Sequence, residues 1–114
     1  MNRDRLHLQR ILDAIAQIQK YSAVGRDEFL AERHWQDAVF CQLIVLGEAV
    51  KCISPTLRGK HPEVPWRGPA QLRDFVAHAY WNIDPEVIWS AVINDLPALK
   101  SAIGTILKDL PSHE

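Results

Sequence analysis

A chain of 114 residues, 47% hydrophobic and 24% charged, is long enough for one buried core, and this composition excludes intrinsic disorder. Its formal net charge of -1 excludes a global positive field that would draw it to nucleic acid or membrane. The N-terminal stretch lacks the apolar run of a signal peptide and no window is apolar enough to span a bilayer, so the expectation is a single cytoplasmic domain over residues 1–114.

In chain order, Leu8, Ile11, Leu12, Ile15 and Ile18 recur at helical spacing and predict an amphipathic helix starting near Asn2 and fading around Tyr21 to Val24. Gly25-Arg26 breaks the pattern, and Asp27 followed by Glu28 reads as a cap with an acid in the first turn. A longer helix is expected from about Glu32 to Ile53, with Val39, Leu43, Leu46, Val50 and Ile53 on one stripe. Cys41 and Cys52 fall on it roughly 16 Å apart, beyond the ~7 Å that a disulfide spans, so buried free thiols are expected. Ser54-Pro55 ends that helix and starts a short turn of helix over Thr56 to Gly59. His61 to Pro65, with two prolines, reads as an extended linker.

Pro69 opens the next helix, with Leu72, Phe75, Val76 and Ala79 as its core stripe. Asp84 and Pro85 form an N-cap and first position for the last helix, whose stripe runs from Val87 to Leu110. Pro97 should divide it near Asp95 or Leu96. No strand pattern competes. The expectation is an all-α, antiparallel four-helix bundle with a short extra helix.

Within the helix opened by Pro69, residues 73–80 read R-D-F-V-A-H-A-Y. This is also the one basic neighbourhood: from Ser54 to Tyr80, Arg58, Lys60, Arg67 and Arg73 outnumber Glu63 and Asp74. With Leu72 at zero and ~100° per residue, the core stripe spans roughly 300° to 40°, Arg73 falls near ~100°, Tyr80 near ~80° and His78 near ~240°. Arg73 and Tyr80 thus share one flank and His78 lies on the other, with Asp74 and Ala77 between. Both Arg73 and His78 lie off the expected stripe and should be removable without harm to the fold. They read either as a solvated face, with Tyr80 anchoring a helix end, or as a site. Trp66 and Trp81 bracket the segment as exposed aromatics do at an interface, and histidine and arginine suit proton transfer and oxyanion binding. Glu48 and Lys51, three apart, either pair with each other in solvent or leave Glu48 free to orient Arg73. The histidines and cysteines show no metal-ligand spacing.

An arginine, four residues, a histidine, one residue and a tyrosine is the mark of the HepT family of HEPN-domain toxins, which this chain resembles. The likeness extends over R-D-R-L at the start, Q-D-A-V at 36–39, L-G-E-A at 46–49, P-W at 65–66 and D-L-P at 95–97. The resemblance implies a helical bundle that dimerises, and Trp66, Trp81 and Ala77 around one helix face predict a two-fold dimer that brings two copies of the helix of residues 73–80 together. The resemblance also implies a metal-independent endoribonuclease in a type VII-like toxin–antitoxin pair, with no cofactor. Arg73 and His78 are then the catalytic residues, with Glu48, Lys51 and Asp74 in support. Tyr80 is the acceptor of AMP from a minimal nucleotidyltransferase antitoxin, and Tyr21 is its unmodified control. The other reading left open is a non-catalytic helical module that docks a nucleotidyltransferase or a nucleotide.

Overall fold

The computed structural model describes residues 3–111, which fold into helices joined by short turns. These are α1 (Asp4–Ser22), α2 (Arg26–Ala31), α3 (Arg33–Lys51), α4 (Pro55–Lys60), α5 (Arg67–Ala79), a 3-10 turn (Tyr80–Asn82), α6 (Pro85–Asn94) and α7 (Leu96–Asp109). The expected helix start at Asn2 lies outside the described residues. Among the described residues there is no strand, and no helix is long and apolar enough to cross a membrane. The all-α bundle is as expected, with α1, α3, α5 and the α6–α7 arm as its long members.

The apolar stripe of α1 meets that of α3. Leu8, Ile11, Ile15 and Ile18 are fully buried against a core that includes Val39, Leu43, Leu46 and Val50. Polar ties at the helix ends set the direction. Asp4 at the start of α1 accepts from the backbone N–H and the hydroxyl of Ser54, beyond the end of α3, at 2.8 and 2.6 Å. Arg5 donates to the carbonyl of Leu110, at the end of α7, at 2.7 Å. Both α3 and α7 therefore run antiparallel to α1. The R-D-R-L stretch is in this way structural.

Several local expectations are corrected. Asp27 is no cap: Gly25 stands at that position with φ 95°, a backbone angle that glycine adopts at little cost, and α2 is a separate short helix. It breaks from α3 at Glu32 because Phe29 must turn into the core against Trp89, their ring centroids 5.2 Å apart. The Gln36 side chain then serves the freed carbonyls of Phe29 and Leu30 at 3.0 and 3.2 Å. The linker of residues 61–65 is not extended. It is a tight turn closed by Val64 N–H to His61 carbonyl at 3.2 Å, folded so because Val64 and Trp66 are buried. Trp66 is therefore no exposed interface residue, and its indole N–H donates to the His61 carbonyl at 3.0 Å. Cys41 and Cys52 are free but exposed, contrary to expectation. With Val45 and Glu48 they lie on an exposed face of α3. The division at Asp95, the break at Ser54-Pro55 and the cap at Asp84 are as expected.

Candidate functional site

α5 is placed by a contact that its own hydrophobic pattern does not encode. Of the expected stripe only Val76 is buried; Leu72 and Ala79 are half-buried, and Phe75 is 43% exposed. The face that meets α3 is rotated toward Pro69, Arg73, Val76 and Tyr80. The reason is Gly47. A Cβ there would lie 2.1 Å from the Cβ of Arg73 and 2.9 Å from the Pro69 carbonyl, so only glycine admits α5 at this distance. The aliphatic stem of Arg73 fills the space, which leaves its charged head at the rim of the seam. Arg73 is thus part of the packing, and the expectation that its removal leaves the fold untouched is corrected. That expectation stands for His78, which is exposed.

Two interhelical ion pairs flank the close approach. Arg73 Nε lies 2.7 Å from Glu48 Oε1, an ionic contact set off the N–H direction rather than a straight hydrogen bond. Arg73 also donates to Asp74 at 3.3 Å, and Lys51 donates to the same Asp74 oxygen at 2.6 Å. Glu48 therefore reaches α5 and holds Arg73 rather than pairing with Lys51. Lys51, and secondarily Arg73, holds the Asp74 carboxyl below the usual carboxylate range. The Arg73 side chain remains 25% exposed.

His78 stands on the opposite flank of α5. Its Nδ1 lies 2.8 Å from the Asp74 carbonyl oxygen. A carbonyl only accepts, so Nδ1 carries the hydrogen, and in the neutral ring Nε2 offers its lone pair to solvent. One chain does not bring His78 and Arg73 together, since they lie ~140° apart around the helix.

At the end of α5, Tyr80 closes the seam. Its hydroxyl donates to Asp37 on α3 at 2.8 Å, and its ring packs edge-on against Phe40 and Trp81, with centroids at 5.9 and 5.3 Å. The Arg33 guanidinium sits 5.0 Å above the ring and donates to Asp37 at 3.2 Å. Hydrogen bonds from Tyr80 and then Arg33 lower the Asp37 carboxyl below its ordinary value. Sequence reasoning gave no role to Asp37, Arg33 or Gly47. The first lay within the Q-D-A-V stretch, but nothing in helical spacing points it at a tyrosine 43 residues on. Trp81 is 85% exposed, as expected of an interface aromatic, and Ala77 is exposed beside His78.

Among the described residues no cluster of histidine, cysteine and carboxylates could hold a metal ion. A hollow of about 330 Å³ beside Glu48 is lined by His7, Arg10, Val45 and Cys52. A larger apolar groove of about 560 Å³ runs between the Leu72–Phe75 edge of α5 and the α6–α7 arm, away from Arg73 and His78.

Comparison with known proteins shows the family of this chain. A family model described as ribonuclease HepT-like matches residues 11–106. A protein of Methanocaldococcus jannaschii, named as a candidate RNase, is 43% identical over 88 residues, 77% of this chain and 73% of that one. The "Probable ribonuclease HepT" of Thermococcus cleftensis is 36% identical over 103 residues, 90% of this chain and 94% of its own. No solved structure matches.

Proposed function

This chain belongs to the HepT-like ribonuclease family, and from that membership we infer that it is a toxin-type endoribonuclease that cuts RNA without a metal ion. The observation that carries the reading is His78, exposed on α5 with Nδ1 committed to the Asp74 carbonyl and Nε2 left to accept a proton. In this mechanism Nε2 takes the proton of a ribose 2′-hydroxyl, and the 2′-oxygen attacks the adjacent phosphorus. The bond to the 5′-oxygen breaks, leaving a 2′,3′-cyclic phosphate and, once protonated, a 5′-hydroxyl. Arg73, turned by Glu48, offers its guanidinium to the charge gathering on the phosphorane. Lys51 and Asp74 fix the helix on which both residues ride.

Because Arg73 and His78 face different ways in one chain, the cleft is composite: two copies related by a two-fold axis pair their α5 faces around Ala77 and Trp81. Tyr80 accepts AMP from a cognate minimal nucleotidyltransferase. A bulky anion on the flank it shares with Arg73 then bars the scissile phosphate.

The divergence of Arg73 and His78 also favours a second reading, a non-catalytic module that docks the nucleotidyltransferase. Purified protein separates the two. His78→Ala should abolish RNA cleavage with the fold kept, since general acid–base catalysis supplies about 10²–10⁴-fold, and cleavage should survive EDTA. Intact RNA with the wild type leaves the docking module, and cleavage by His78→Ala removes His78 from the mechanism.

A further inference from the structure

The Q-D-A-V stretch is only partly explained by folding. Gln36 serves the α2 carbonyls and Val39 is core, whereas Asp37 is a half-exposed carboxylate that reaches across the seam to one phenol. We propose that Asp37 is the proton acceptor that readies Tyr80 for nucleotidyl transfer and that Arg33 meets the incoming phosphate. The toxin would then carry part of the machinery for its own silencing. This inference rests on the reading of Tyr80 as the AMP acceptor.

The geometry favours it over a plain helix-end anchor. The Tyr80 ring is fixed on three sides by Phe40, Trp81 and the Arg33 guanidinium. Its O–H points at Asp37 Oδ1 at 2.8 Å, which leaves the oxygen lone pairs directed elsewhere and free to attack. An anchor needs an acceptor and no charge, yet here the acceptor is an ionised carboxylate. Nor does an anchor explain a guanidinium, 58% exposed, poised over the ring. An arginine so placed can hold a phosphate oxygen by parallel hydrogen bonds as the nucleotide arrives.

In the transfer, the Tyr80 oxygen attacks the α-phosphorus of ATP. The oxygen–phosphorus bond forms as the bond from that phosphorus to the bridging oxygen of the β-phosphate breaks. Pyrophosphate leaves with the electron pair. The phenol proton passes to Asp37 and from there to water. Afterwards the phosphodiester has no proton to donate and sets a like charge beside Asp37, so the tie between the 3-10 turn and α3 is lost. Arg33 is left between two anions.

The test uses two adenosine probes. The first is ATP with the cognate nucleotidyltransferase, with AMP on the Tyr80 peptide followed by mass spectrometry. The second is 5′-fluorosulfonylbenzoyl adenosine, an electrophile that needs no transferase. Asp37→Asn keeps an oxygen for the hydrogen bond and removes the charge. It should lower kcat for AMP transfer about 10²-fold or more, with KM for ATP little changed, and should slow labelling by the sulfonyl fluoride. Its melting temperature should stay near that of the wild type; should it unfold, Asp37→Glu, which keeps the charge, should retain transfer that Asp37→Ala lacks. Arg33→Gln should instead raise KM for ATP. Undiminished transfer to Tyr80 in Asp37→Asn overturns the inference and leaves the acceptor reading standing. No AMP on wild-type Tyr80 overturns that reading. In that event, labelling of Tyr80 that falls in Asp37→Asn still supports a primed phenol, and equal labelling of the two proteins overturns it.

Discussion

The seam between α1 and α3 and the seam between α3 and α5 share a helix and are held by different forces. The first is apolar: α1 contributes four fully buried aliphatic side chains, with polar ties only at its ends. The second buries one such residue of α5, Val76. Its remaining hold is a backbone-close contact at Gly47, two ion pairs and the Tyr80–Asp37 hydrogen bond. The lesson is that, among the long helices, the one bearing the candidate chemistry is the least secured by hydrophobic burial. Its position depends on the same charged and phenolic groups that the proposed reaction and its regulation use.

The broadest way to break this contrast is by truncation. Ile15→Ala in α1 should cost about 2–5 kcal/mol in urea unfolding. Phe75→Ala in α5, already part-exposed, should cost about 1 kcal/mol or less. Equal losses would show α5 to be as core-bound as α1.

Next in size is Gly47→Ala. Its methyl would overlap the stem of Arg73 and crowd the Pro69 carbonyl, at a cost of about 1–3 kcal/mol. Hydrogen exchange should rise in α5 and its 3-10 turn and stay slow in α1. Uniform exchange across both would mean that Gly47 is not the specific hinge of the second seam.

The smallest effect sharpens the contrast by pH. The Asp74 and Asp37 carboxyls are held below their ordinary range, chiefly by Lys51 and by Tyr80 respectively. Their contribution is fully present above the unfolded value of about 3.9 and fades as pH falls through the lower folded values, because the unfolded chain takes up protons first. Relative to the intrinsic exchange rate, which itself slows in acid, the protection of α5 amides should therefore fall as pH is lowered, and Asp74→Asn should blunt that dependence. An α5 indifferent to acid would remove the ion pairs from its support.

Helix existence, the breaks at Ser54-Pro55 and Asp95, and the burial of α1 follow from spacing and capping chemistry alone, because those interactions are local in the chain. Arg73, His78 and Tyr80 were legible as a motif through the family resemblance, the first two on α5 and Tyr80 in the 3-10 turn that follows it. What the tertiary structure decided is which way that helix faces. A glycine on α3 let an arginine stem replace the expected Phe75 as packing, so the buried face turned. Glu48 then left Lys51 for Arg73, and Asp37 became the partner of Tyr80. Hydrophobic periodicity counts apolar residues along one helix and is blind to both causes: the space that a missing side chain opens on a neighbour, and the methylene stem of a charged residue that fills it.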